Sequence, residues 1–257
     1  MADISHTTVV DSPLVSTDRL PMGRPSDGNA DGAGTAYTLT VEQMTNYVGN
    51  NLVVSKASGD GIKVDIDTPT YGWNDLFGVL KPDPAGANSP NLGTFRDGAA
   101  RTYFYNTNDQ MDMEFHIPHD YAPGTDLYVH LHWSHNGTAI SGNFVVTLTS
   151  TYSKGHAQDI FSAEKVVTVT YDTVDITTTP RYVHRIDEVQ LTTSGGTASL
   201  LDTDVIEPDG IIIMNMNTTT IPSITGGSVN RPTIFFVDIH YQSTNIATKQ
   251  KAPDFYV

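Results

Sequence analysis

Between Met111 and Ser134 the chain reads MDMEFHIPHDYAPGTDLYVHLHWS, two runs of strict apolar/polar alternation separated by a Pro/Gly turn. Period-two alternation marks a strand whose faces see different surroundings, because successive side chains leave a pleated strand on opposite sides. Met111, Met113, Phe115 and Ile117 share one face of the first run, and Asp112, Glu114 and His116 the other. On the second, Leu127, Val129, Leu131 and Trp133 oppose Tyr128, His130 and His132. The four histidines of this stretch lie mostly off the apolar face, which leaves two kinds of molecule: a metal enzyme, or a β-sandwich with one polar surface.

The same pattern runs from Thr102 onward. Segments 102–106, 111–117, 126–134, 143–152, 165–171, 182–191, 210–217 and 232–243 are rich in Val, Ile, Thr, Tyr or Phe and bounded by Gly, Pro, Asn or Asp. In the last of them Phe235, Val237, Ile239 and Tyr241 alternate with Phe236, Asp238 and His240. Eight alternating strands without intervening helical patterns predict two antiparallel sheets packed face to face. The predicted class is therefore all-β, an eight-stranded antiparallel β-sandwich of jelly-roll type over residues 102–257.

Upstream the composition changes. Residues 1–36 hold few large apolar groups, so burial cannot offset their ordering entropy, and they are expected to form an extended arm ordered only against a partner. Thr40 and Gln43 form a capping box, and Val41, Met44, Tyr47 and Val48 give an apolar stripe ended by Gly49. That spacing predicts one short helix over 40–48, too short to stand without a partner for its stripe. Residues 53–101 hold a weak strand at 61–67, the aromatics Tyr71, Trp73 and Phe77, and the turn-rich run KPDPAGANSPN. They read as a loop-rich collar around a short helix near Trp73 to Leu80, which divides the chain into 1–52, 53–101 and 102–257.

Several function classes are disfavoured by composition. A formal charge of −15 with only 14 Lys and Arg opposes nucleic-acid binding, which needs clustered cations. The absence of cysteine removes disulfides, thiolate zinc sites and thiol nucleophiles together. No apolar run approaches the ~20 residues of a membrane span, and the first residues lack the pattern of a secretory signal, so a cytoplasmic site of synthesis is expected. The sequons at Asn136 and Asn217 are then chance matches.

Candidate chemistry centres on histidine. Gly124, His130 and His132 satisfy the first part of a cupin metal motif, but Asn136 and Gly137 stand where its Glu belongs. Pro208, Gly210 and Asn217 match the second cupin motif, with Ile213 in the histidine position. Two of four ligands are missing, whereas an ion needs at least three placed donors. If the two strands of 111–134 paired as a hairpin, His116, His119, Asp120, His130, His132 and His135 would converge, since cross-strand neighbours lie ~5 Å apart. The competing reading has these imidazoles bonded to Asp112, Glu114 or Tyr128, or packed at an interface. Asp202, Asp204, Glu207 and Asp209 resemble a calcium loop, but Ile206 and Glu207 break its spacing, and Asp65 with Asp67 form only an isolated carboxylate pair. Trp73 and Tyr71 are the candidate carbohydrate-stacking surface, while Trp133 belongs to the core. The alternative function is thus a cupin-like metal-dependent enzyme or a carbohydrate-binding β-sandwich using His130 and His132.

Two segments carry a resemblance. DRLPMGRPSDGNADGAGTAYTLTVEQMTNYV, residues 18–48, resembles the amino-terminal module at the virion-proximal end of tailed-bacteriophage fibres and tail appendages. HIPHDYAPGTDLYVHLHWS, residues 116–134, is similar to a stretch of phage structural proteins that join such an anchor to a compact β domain. The resemblance implies a non-enzymatic virion structural protein, a homotrimer assembled in the host cytoplasm, with Leu20, Pro21, Met44, Tyr47 and Val48 docking on capsid, neck or tail proteins. A host-surface glycan or receptor is the further partner it implies, with no cofactor and no membrane insertion. His130 and His132 on the three-fold axis would weaken the trimer at about pH 5–6.

Overall fold

The computed structural model describes residues 19–22, 37–40, 52–54, 62–64, 71–82, 88–172, 176–248 and 250–255. The chain divides into two units, Met1–Thr70 and Tyr71–Val257. In the first, β1 (Arg19–Met22) pairs antiparallel with β2 (Tyr37–Thr40), and β3 (Leu52–Val54) with β4 (Ile62–Val64). Leu20 and Pro21 thus lie in a strand, opposite Leu39 and Thr38. Thr40 closes β2; the rest of the expected helix, with Met44, Tyr47 and Val48, lies outside the described residues, as do Asp65 and Asp67.

The second unit begins with β5 (Gly72–Phe77), β6 (Val79–Pro82), β7 (Asn91–Thr94), β8 (Arg101–Phe104), β9 (Gln110–His116), β10 (Tyr128–His135) and β11 (Ala139–Ser141). It continues through β12 (Phe144–Ser153), β13 (Lys165–Tyr171), β14 (Arg185–Gln190), β15 (Thr192–Thr193), β16 (Leu201–Asp202), β17 (Ile211–Thr220), β18 (Ser223–Thr225) and β19 (Pro232–Ser243). One sheet has the order β14-β10-β19-β8-β7, with β5 also paired to β19; the other has the order β13-β12-β17-β9-β6. Every pairing within these two sheets is antiparallel. The strands β8, β9, β10, β12, β13, β14, β17 and β19 match the eight segments predicted from alternation, and their passage between the sheets is that of a jelly roll.

Burial follows the alternation. Met111, Met113 and Phe115 from β9, Val129, Leu131 and Trp133 from β10, and Phe144, Val146 and Leu148 from β12 all enter one core. Trp133 meets Phe144 across the two sheets at 5.1 Å between ring centroids. Its indole N–H donates to Asp187 at 2.6 Å, and Arg185 pairs with that carboxylate at 2.7 Å, so the polar atom is satisfied.

Two expectations are corrected here. Trp73 to Leu80 is not helical: β5 and β6 occupy it, and with β7 they extend the sandwich back into the segment read as a collar, giving sheets of six and five strands. Residues 73–77 carry no apolar/polar alternation, since one face holds Trp73, Asp75 and Phe77 and the other Asn74 and Leu76, so this strand has no period-two signal to read. Phe235 does not share the inner face with Val237. A β-bulge shifts the register between His132 and Trp133, so that His132 faces Phe236 while Trp133 faces Ile234, and both Phe235 and Phe236 are only partly buried.

Gly78 carries the chain from β5 in one sheet to β6 in the other. A Cβ there would lie 2.5 Å from the ring of Phe115, which is fully buried and cannot move aside. Gly78→Ala is therefore expected to destabilise the sandwich by about 1–3 kcal/mol, seen as a lower denaturant midpoint. An unchanged midpoint would mean that the corner opens without disturbing the core.

Candidate functional site on the outer face of the six-stranded sheet

Because β10 sends Val129, Leu131 and Trp133 into the core, it turns Tyr128, His130 and His132 outward. The register sets their neighbours. His130 lies between Glu188 of β14 and Asp238 of β19, and Asp238 in turn faces Phe77 of β5. Tyr128 lies between Gln190 and His240, and His240 faces Asp75. His132 lies between Ile186 and Phe236.

These side chains form one contiguous layer. His132 stacks on Phe236 at 4.0 Å between centroids, His130 lies 4.4 Å from His240, and His240 lies 4.7 Å from Trp73. Trp73 meets Tyr128 edge-on at 5.8 Å, and Phe77 meets Phe236 at 5.5 Å. Beneath the layer Asp238 is 1 % exposed, whereas Trp73 and Phe77 remain 51 % and 64 % exposed. The result is a floor of histidine and carboxylate with aromatic rings standing at its edge.

Polar contacts inside the layer are short. His130 Nε2 is 3.0 Å from Glu188 Oε2 and 3.1 Å from His240 Nδ1. His132 Nδ1 is 2.9 Å from His184 Nε2, and its Nε2 is 2.8 Å from Asp238 Oδ1. That last approach lacks hydrogen-bond geometry, leaving both atoms buried with no hydrogen-bond partner among the described residues. His130 Nδ1 is 4.0 Å from Asp238 Oδ2, and His240 Nε2 is 4.0 Å from Asp75 Oδ1. One donor atom from each of His130, His132 and Asp238 lies within 4.8 Å of the others, and the same holds for Asp75, His130 and His240.

Electrostatics follow from burial. Desolvation, then the His184 and His130 rings, lowers His132 to about 4. Desolvation, then the Asp75 carboxylate, raises Asp238 to about 6. Desolvation and His130 also lower His240. Both of these imidazoles are neutral at pH 7, the form that ligates metal.

The expected grouping of histidines is not assembled. β9 and β10 follow one another in the chain but belong to different sheets, so they form no hairpin and His116 is separated from His130 and His132. His116 and His119 lie 3.4 and 3.1 Å from Asp209 Oδ1, and His156 lies 2.7 Å from Asp209 Oδ2. These contacts, that of His156 above all, hold the Asp209 carboxyl below its ordinary value. His135 is buried and donates to the Thr179 carbonyl, while Asp120 accepts from Tyr241 and Ser243. Nor is the cupin constellation present. Ile213 and Asn217 stand on β17 of the five-stranded sheet, whereas His130 and His132 face outward from the six-stranded one. The acids of the supposed calcium loop are each engaged elsewhere: Asp202 caps the Thr203–Val205 turn, Asp204 accepts from Ser194, and Glu207 pairs with Lys154.

Sequence reasoning found His130, His132 and Trp73 but missed Asp75, Asp238, His240, His184 and Glu188. Asp238-x-His240 mirrors His130-x-His132, and two such pairs on predicted strands were a readable signal; their shared face was not. Tyr71 lies just before β5 and, among the described residues, stacks on no ring. A groove of about 380 Å³ lies elsewhere, lined by residues including Tyr152, Lys165, Gly196 and Asp202. Lys165 there is bonded to the Thr197 carbonyl, so the groove presents little chemistry beside that of the histidine layer.

No family model matches the chain, and no curated protein matches it. Among solved structures it is similar to a family 11 carbohydrate-binding module from Clostridium thermocellum in complex with a β-1,3-1,4-mixed-linked tetrasaccharide, at 8 % identity over 64 % of this chain and 95 % of that one, with a TM-score of 0.28. It is also similar to dimeric latent PorU from Porphyromonas gingivalis, at 10 % identity over 66 % of this chain and 13 % of that one, with a TM-score of 0.25. A third similar structure is described as carbohydrate-binding modules of the β-sandwich superfamily with promiscuous specificity, at 12 % identity over 84 % of this chain and 69 % of that one, with a TM-score of 0.24. Likenesses this distant say nothing of what this chain binds.

Proposed function

We propose that the chain is a non-enzymatic structural protein of a tailed-phage particle, a homotrimer docked through Leu20, Pro21, Met44, Tyr47 and Val48, whose β-sandwich presents the outer face of the six-stranded sheet to a neutral glycan. The observation that carries the binding half is the half-exposed Trp73, braced by Tyr128 and His240, beside the exposed carboxylates of Asp75 and Glu188. A sugar ring offers C–H groups to a flat ring and hydroxyls to acceptors at its edge, so such a pairing suits it. The carboxylates and the net charge of −15 repel phosphorylated or sulfated chains, which favours a neutral sugar. The particle half rests on the resemblance of residues 18–48 and 116–134.

Glycan-array screening followed by calorimetry tests the binding half. Trp73→Ala is expected to weaken the selected glycan by at least about tenfold, the loss usual for an aromatic anchor, without changing Tm. Equal binding by the variant, or no neutral glycan bound by the parent, would refute it. Mass spectrometry of purified particles tests the other half, which fails if the chain is absent from them.

A further inference from the structure

We propose that the outer face of the six-stranded sheet holds one divalent first-row transition-metal ion of the zinc class, ligated by His130, His132 and Asp238. The three come from the adjacent strands β10 and β19. One donor atom from each lies within 4.8 Å of the others. Ligand bonds of about 2.0–2.2 Å place donors on one ion roughly 3–4 Å apart. Here His132 Nε2 to Asp238 Oδ1 is 2.8 Å and His130 Nδ1 to Asp238 Oδ2 is 4.0 Å, values that bracket the requirement after small rotations.

The decisive feature is the His132–Asp238 contact. Both residues are more than nine-tenths buried, at 7 % and 1 % exposed, and among the described residues the two facing atoms have no hydrogen-bond partner. The contact is as short as a hydrogen bond yet does not meet hydrogen-bond geometry. That is the disposition of two neighbouring ligands on one ion, whereas a hydrogen bond would be near linear. An ion there satisfies two buried atoms that otherwise go unpaired.

The surroundings offer both imidazoles a tautomer suited to this role. With its proton on Nδ1, His132 donates to His184 Nε2 at 2.9 Å and turns the bare Nε2 toward Asp238. With its proton on Nε2, His130 donates to Glu188 at 3.0 Å and turns the bare Nδ1 the same way. Ligating histidines usually hold such an outer acceptor on the second ring nitrogen. Asp75 adds a further negative charge across from His240. Two nitrogens and one oxygen suit zinc, cobalt or nickel better than calcium or magnesium, which prefer oxygen.

The full chain, produced without a polyhistidine tag and stripped with a chelator, would be titrated with Zn²⁺ by calorimetry and with Co²⁺ by visible absorption. One equivalent should bind, with ligand-field bands from Co²⁺ and a Tm that rises with metal concentration. His132→Gln and Asp238→Asn should each weaken binding by more than about 100-fold, and His184→Ala by about 10–100-fold, the usual loss for an outer partner. Unchanged circular dichroism would show that the stripped variants are folded. Trp73→Ala and His119→Ala should bind metal as the parent does, which separates this site from the glycan surface and from the histidines around Asp209. Substoichiometric binding, retention in both His132→Gln and Asp238→Asn, or loss in His119→Ala would each overturn the proposal.

Discussion

Trp133→Ala is expected to cost the sandwich about 3–5 kcal/mol, the range for truncating a fully buried large aromatic. Trp133 is 0 % exposed and bridges the sheets through Phe144. Its removal opens a cavity at the layer boundary and takes away the indole donor of Asp187, which keeps its contacts with Arg185. A domain of this size loses about 2–4 °C of Tm per kcal/mol, so Tm should fall by roughly 6–20 °C. Phe77→Ala, at a position 64 % exposed, should move Tm by no more than a degree or two. Thermal denaturation followed by near-ultraviolet circular dichroism compares the two. Similar losses at both positions would contradict a core that lies between the sheets.

The second large effect has the opposite sign. Asp238→Asn should stabilise the metal-free chain at pH 7 by about 1–3 kcal/mol, because a carboxylate raised from 3.8 to about 6 opposes folding once ionised. A carboxyl whose folded pKa lies above its unfolded value supports folding most below about 3.8 and loses that support as pH rises toward 6. His132, lowered from 6.5 to about 4, acts in reverse: its contribution is full above 6.5 and disappears as pH falls through about 4. In the parent the Asp238 contribution opposes that of His132 over nearly the same interval, while the lowered His240 adds to the His132 slope, so Tm should fall only gently from pH 6.5 to 4. Asn at 238 removes one of them and leaves the His132 slope, so the variant should lose stability on acidification and converge on the parent near pH 4. Tm measured across pH 4–8 in chelator reads this directly. A variant less stable than the parent at pH 7 would show that the carboxylate is held by favourable charge within the layer.

Much of the fold was legible because alternation is a local property of the pleat. Met111, Met113, Phe115, Val129, Leu131 and Trp133 occupy the core that their spacing assigns them. Strand existence was equally legible from β-branched and aromatic runs between turn residues. Where β5 and β6 were missed, the apolar signal was diluted by exposed faces: only Leu76 among the β5 side chains packs against the core. The bulge at Phe235 had no local mark, since the extra residue fits a Phe-Phe pair either way.

The amino-acid sequence by itself determined the all-β class, the inward and outward faces of nearly every jelly-roll strand, and a chemistry limited to histidine and carboxylate by the lack of cysteine. Which outward residues meet was decided only by the tertiary structure. Consecutive strands β9 and β10 part into different sheets, sending His116 toward Asp209 and His130 toward Asp238. Asp75, His130 and His240, on three different strands, converge because β19 pairs with β10 on one side and β5 on the other. Side-chain direction is set within two residues of chain by backbone sterics, whereas strand partners are set by hydrogen bonds and core fit summed over the whole sandwich.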